Sequence, residues 1–306
     1  MCTTGTYQDR TNATTCLACA EGDYASEQES PICKPCPIGS QCPDPAEAPV
    51  PCDTGTVQPL QRQISCELCK PGTFQDNTGQ PTCRECEPGQ YQTTNASDTC
   101  VPCLSGWYTT QNGSSTCFRC GEGNECPEKF SAPKACVAGY FQAQDNATFC
   151  DTCVSGQFQP SQSATACRLC APGQFQNTTQ AIACRPCAVG FFANQTQSTA
   201  CEICPRGSHC PDSTAAPIPC PEGSVQVAKG KTSCSDCDPG FFQFQPGLTS
   251  CIPCAPGQFQ KVRAQTSCLN CSTGWFTTFN GSSLCGLCGF GFECPDRDQQ
   301  PVPCDP

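Results

Sequence analysis

The chain has 306 residues, 37 of them cysteine, and carries a formal net charge of −11 with a pI near 4.5. Cysteine at about 12% exceeds the roughly 8–10% that marks a disulfide scaffold, and Leu, Ile, Val and Phe together stay below the roughly 20% that a packed core needs. An ordinary globular domain is excluded, and so is a disordered polyelectrolyte, because only 14% of the residues are charged.

The N-terminal stretch MCTTGTYQDR has neither the basic nor the apolar region of a secretory leader, and Cys2 already stands inside a repeat, so a segment of a longer or processed precursor is expected. From Cys2 onward the cysteines recur as C-x13-C-x2, a unit of 17 residues. Four such units and one 16-residue variant, C-x5-C-x9, make a super-repeat of 84 residues. Cys36, Cys120, Cys204 and Cys288 mark it, as do Cys52, Cys136, Cys220 and Cys304. The boundaries follow as 1–51 (partial), 52–135, 136–219, 220–303 and the start of another unit at 304–306. A weaker period of 168 relates GWYTTQNGSSTC at Gly106 to GWFTTFNGSSLC at Gly274.

Three residues after each opening cysteine stands a glycine, from Gly5 to Gly291, in all eighteen units. That invariance predicts a backbone with positive φ or a close passage of another segment. Two residues later an aromatic recurs, as at Tyr7, Tyr24, Phe74, Tyr91 and Phe259, followed in most long units by glutamine, as at Gln8, Gln75 and Gln260. The stretch G-x-F-Q reads as a short strand. Units this small cannot bury an aromatic alone, so they are expected to stack, with the aromatics forming an apolar ridge and the glutamines a ladder beside it. The fold expected is a small disulfide-rich repeat fold, an elongated rod or solenoid of 17-residue β-hairpin-like units with little hydrophobic core. The proline-rich short variants, such as CPDPAEAPVPC from Cys42, read as extended links that offset the rod.

Two connectivities fit the cysteines. In the local scheme each opening cysteine closes on the next: Cys2 with Cys16, Cys19 with Cys33, Cys36 with Cys42, Cys52 with Cys66, Cys69 with Cys83, Cys86 with Cys100, Cys103 with Cys117 and Cys120 with Cys126, continuing in the same order and leaving Cys304 over. In a ladder scheme the two cysteines of each C-x2-C bond to different neighbouring units. The spacing C-x2-C-x13-C-x2-C also suits a four-thiolate zinc site. Here, however, each C-x2-C would have to serve two overlapping sites, so no metal or cofactor is expected.

Eight of ten asparagines stand in N-x-[ST] sequons. Asn12, Asn95, Asn112, Asn146, Asn177, Asn194 and Asn280 fall in the second half of a long loop and are expected to carry glycans, whereas Asn270 lies inside a C-x2-C pair. The single histidine, His209, has Gln41, Asn124–Glu125 and Phe292–Glu293 as its counterparts in the other short variants, so no catalytic role repeats with it, and no phosphate or calcium loop is present, so no enzyme is expected. Trp107 and Trp275 neighbour Asn112 and Asn280 and invite a packing or sugar-stacking role. The sixteen basic residues form no stripe, which argues against nucleic acid, and no apolar run is long enough to span a membrane. Disulfides at this density belong to an extracellular or cell-surface protein that has passed through the secretory pathway.

The pattern C-x2-G-x-[FY]-x8-C-x2-C, interleaved with the CPxxxxxPxPC variants, resembles the ephrin-receptor-like cysteine-rich repeats of extracellular proteins, including large surface proteins of protists and algae. Its loop is also similar to the single-disulfide module of tumour necrosis factor receptors, which implies the local pairing. The resemblance implies an elongated module for spacing, adhesion or assembly without activity of its own. Loop length is kept while loop sequence drifts, which suits a chain whose faces recur in register, so the expected partner is the protein itself, in a glycosylated homopolymer or filament.

Overall fold

The computed structural model describes residues 1–9 and 14–304. The chain forms two compact units, one of Met1–Asp151 with Gln162–Ala166, the other of Thr152–Ser161 with Cys167–Pro306. Every regular element is a two-residue strand, and each strand pairs with its sequence neighbour in a separate two-stranded sheet, eighteen in all among the described residues. No helix occurs among those residues.

Each hairpin is one 17-residue unit or one 16-residue variant, a rung, named by its opening cysteine. In rung Cys52, Thr56 and Val57 pair antiparallel with Leu68 and Glu67. In the long rungs the first strand contains an aromatic or β-branched residue, and the second strand is exposed throughout the first unit. Each long rung is closed by a disulfide between cysteines 14 residues apart, such as Cys52–Cys66 and Cys237–Cys251, and each short rung by one spanning six, such as Cys36–Cys42 and Cys204–Cys210. In a chain-entropy picture a loop of this length contributes about 3 kcal/mol per bond, which replaces the missing apolar core. The opening cysteines are the interior: Cys36, Cys52, Cys69, Cys86 and Cys120 are fully buried.

Successive rungs stack through backbone hydrogen bonds. Gly55 N–H donates to the Gln75 carbonyl at 2.7 Å, Gln58 N–H to that of Gln80 at 3.1 Å, and Gly79 N–H returns to the Cys52 carbonyl at 2.8 Å. The second unit repeats the set, with Gly223 to Gln243, Gln226 to Leu248 and Gly247 to Cys220. Independent beads are thereby excluded within each unit, because these amides find their acceptors in a neighbouring rung.

The recurring glycine meets both demands anticipated for it. Gly72 has φ +85°, and a Cβ there would overlap the carbonyl of Gly113, two rungs further on. The short variants are not extended links. Ser40 and Gln41 pair with Pro51 and Val50, and Gly39 N–H donates to the Gln58 carbonyl, so the short variant is a rung in its own right. An Asx turn, Ala46 N–H to Asp44 Oδ1 at 2.9 Å, reverses the chain in place of the longer loop.

Candidate functional site

Repetition itself is what these rungs offer, so the site is the rung, its inner staple and its outer loop. Inside most long loops the glutamine that follows the recurring aromatic or valine points inward. Gln58 is 2% exposed, donates from Nε2 to the Ser65 carbonyl at 2.7 Å and accepts at Oε1 from Leu60 N–H at 3.1 Å. Gln243 does the same with Ser250 and Gln245. The expected glutamine ladder between rungs is therefore corrected: the side chain bridges its own loop, and only its backbone reaches the next rung. An amide is the one group of this length that donates to a carbonyl and accepts from an amide without charge, and burying it unpaired would cost about 1–3 kcal/mol.

The aromatic ridge is also corrected. The recurring rings are half-buried, and the ring-to-ring contacts among the described residues, Tyr108 with Phe118 and Phe242 with Phe244, lie within single hairpins. Two rings meet cations across their hairpins, Phe74 under Arg84 at 4.9 Å and Trp107 under Arg119 at 5.4 Å. The four rungs before a short variant lack this glutamine; in two of them a smaller staple takes over, with Thr109 Oγ1 2.5 Å from Ser114 Oγ and Thr277 Oγ1 2.6 Å from Ser282 Oγ, while the other two have Ala25 and Ala193 there.

Ten residues after the opening cysteine the chain turns through left-handed space, a feature the sequence reading missed. Glycine fills the position at Gly79, Gly113, Gly230, Gly247 and Gly281, but Ala96 (φ 56°), Arg62 (φ 66°), Gln180 (φ 59°) and Asn146 (φ 63°) adopt it too. The reason is the stack: this residue's N–H is the one that returns to the previous rung's opening cysteine, as from Ala96 to Cys69. The five glycines were the available signal.

His209 occupies a position with a recurring structural use. Its counterparts Gln41 and Glu125 accept the backbone N–H of Cys66 and Cys150, at 3.2 and 3.0 Å. His209 Nδ1 lies 3.2 Å from Cys234 Sγ. His209, Cys220 and Cys234 bring three potential ligand atoms within 4.8 Å, but the two sulfurs are bonded to each other and offer no thiolate. The clearest electrostatic shift is at Asp212, whose pKa is lowered by hydrogen bonds from the Thr214 N–H and then its hydroxyl.

Of the sequon asparagines, Asn95, Asn112, Asn177, Asn194 and Asn280 are exposed, and Asn270, inside its C-x2-C pair, is exposed as well. Asn146 is half-buried, and Asn12 lies outside the described residues. Trp107 lines a pocket of about 160 Å³ with Tyr91, Leu104, Thr116 and Cys117, whereas Trp275 is 42% exposed.

The model of the family described as tyrosine-protein kinase ephrin type A/B receptor-like matches residues 55–98 and 242–288, one stretch from each compact unit. These two stretches are similar to ephrin-receptor-like cysteine-rich repeats. Comparison with curated proteins found no match. Outside the matched stretches the rungs keep the same glycine and the same disulfide pairing. Repeats of this family, closed by disulfides, point to an extracellular or cell-surface module of structural or receptor-like kind, and to a non-catalytic one. Among the described residues no helix is long and apolar enough to cross a membrane.

Proposed function

We propose that the protein is a structural component of an extracellular glycosylated fibre or surface appendage, in which copies of the chain associate with their repeats in register. The reading rests on one observation above the others: the same three-bond junction joins rung to rung in both compact units while the loop sequences differ. A repeat that keeps its geometry and not its surface identity presents contacts at fixed intervals, which is what a homopolymer requires. The super-repeats 52–135, 136–219 and 220–303 are the proposed axial units, and glycans at the exposed sequons the proposed covalent decoration. Nucleic acid is not a partner of this reading, since a net charge of −11 repels it.

A monomeric ligand-binding ectodomain is the second reading, favoured by the Trp107 pocket, which breaks the uniformity of the rungs. Sedimentation velocity on natively secreted, non-reduced protein separates the two. The fibre reading expects mass growing with concentration well beyond the 32.4 kDa chain. A single species at the glycosylated monomer mass at all concentrations favours the ectodomain.

A further inference from the structure

Three long loops have a large apolar residue just before the closing cysteine: Ile32, Phe149 and Leu284. In the other long loops that position is Thr, Ser or Ala. These three side chains are 59%, 65% and 66% exposed, so they do not serve the interior of the stack. Each is instead one wall of a cleft in the mouth of its own loop, with the recurring aromatic, Tyr24, Phe141 or Phe276, among the other lining residues.

The clefts are not alike. Those of Phe149 and Leu284 are open, with volumes of about 560 and 450 Å³, and both belong to loops with a sequon, Asn146-Ala147-Thr148 and Asn280-Gly281-Ser282. The cleft of Ile32 has closed to about 10 Å³, is lined by the charged Glu27 and Lys34, and its loop has no asparagine. The open clefts combine apolar walls with neutral polar groups, Gln144 and Thr148 in one, Thr278 and Ser283 in the other, and only Asp151 contributes charge. Apolar walls with a few placed hydrogen-bonding groups suit an uncharged saccharide, whose C–H face packs on a ring while its hydroxyls find partners.

We propose that the innermost sugars of the N-glycans on Asn146 and Asn280 fold back into the clefts of their own loops, making these two glycans part of the packed structure rather than solvated decoration. The inference rests on the glycoprotein reading above. Attachment joins the asparagine Nδ2 to the anomeric carbon of an oligosaccharyl diphosphate donor, with the diphosphate leaving and one amide proton lost. Asn146 itself lines its cleft, with its Oδ1 buried and without a hydrogen-bond partner, so a sugar on this residue starts at the cleft wall. The other exposed sequons inside long loops, Asn95, Asn112, Asn177 and Asn194, sit in loops with Thr or Ala in place of the apolar wall, so their glycans extend into water.

The test is site-resolved release of glycans by peptide-N-glycosidase from folded, non-reduced, secreted protein, with released sites read by ¹⁸O labelling and mass spectrometry. Release at Asn146 and Asn280 should be about tenfold slower than at Asn95, Asn112, Asn177 and Asn194, the order expected of one ring contact. Phe149→Ser and Leu284→Ser place a residue that other rungs already use there, and each should restore fast release at its own loop only. Equal release at all sites overturns the proposal, as does slow release that survives the serine variants, since backbone position alone would then be responsible. Absence of any glycan at Asn146 and Asn280 while other sequons are occupied overturns this proposal and leaves the glycoprotein reading standing. Absence at every sequon overturns both.

Discussion

Gly39 passes so close to Gly79 that a Cβ on the first would overlap the carbonyl oxygen of the second, although the two belong to rungs two apart. Each rung is thus held by its neighbour through hydrogen bonds and by the next but one through backbone contact. Gly72 and Gly113 repeat the relationship in the first unit, and Gly190 and Gly230 in the second.

Substitution at these glycines should be graded by the second contact. Gly72→Ala meets both the left-handed φ and the Gly113 carbonyl, whereas at Gly89 the nearest atoms to an added Cβ are 3.4 Å away. Gly89→Ala should cost about 1–2 kcal/mol, the left-handed penalty alone. Gly72→Ala should cost clearly more and lower secretion yield. Thermal melting of the two variants checks the order.

The converse holds at the loop tip. Ala96 and Ala264 sit at φ 56° and 57° in the position that glycine fills in other rungs. Ala96→Gly and Ala264→Gly should therefore stabilise by about 1 kcal/mol each, read as a rise in melting temperature.

The buried glutamine gives a pH-dependent prediction. Gln243→Ala removes both bridging bonds and should cost about 2–3 kcal/mol. Gln243→Glu keeps the shape, but its carboxylate cannot donate to the Ser250 carbonyl, and burial at 1% exposure raises its pKa in the folded state. A raised folded pKa makes the ionised form destabilising, so the defect should be full above the folded pKa and shrink as pH falls through it. Melting curves between acid and neutral pH check the sign; a pH-independent loss would contradict the assignment.

At Asp212 the lowered pKa has two donors behind it, the Thr214 amide first and its hydroxyl second. Thr214→Val removes only the second, so the carboxyl pKa should rise part of the way to its ordinary value. Carboxyl-detected titration by NMR reads this directly. The turn is fully held above the ordinary carboxylate range and released as pH falls through the lowered pKa, with little effect on global stability because the group is exposed.

What was legible in the sequence was whatever the backbone demands at every rung. Cysteine spacing gave the unit, and the glycine after it carried both its φ and its close approach. What escaped was direction. Nothing in the letters G-x-F-Q says that Gln58 turns back to Ser65 instead of across to the next rung, because the choice depends on where the loop's own carbonyls point. The prolines around Pro45 and Pro51 likewise read as an extended link, yet Pro51 stands in a strand where its missing N–H is harmless, since the second strand has one free edge. The left-handed tip was hidden because Ala96, Arg62 and Gln180 are held there by an inter-rung bond that local preference cannot reveal.

Electron microscopy of natively secreted, non-reduced material tests the fibre reading most directly, because it reports association and register in one image. The account predicts filaments whose axial repeat corresponds to the 84-residue or 168-residue period of the chain. Separate thin particles one chain in mass, without axial periodicity at any concentration, would contradict it.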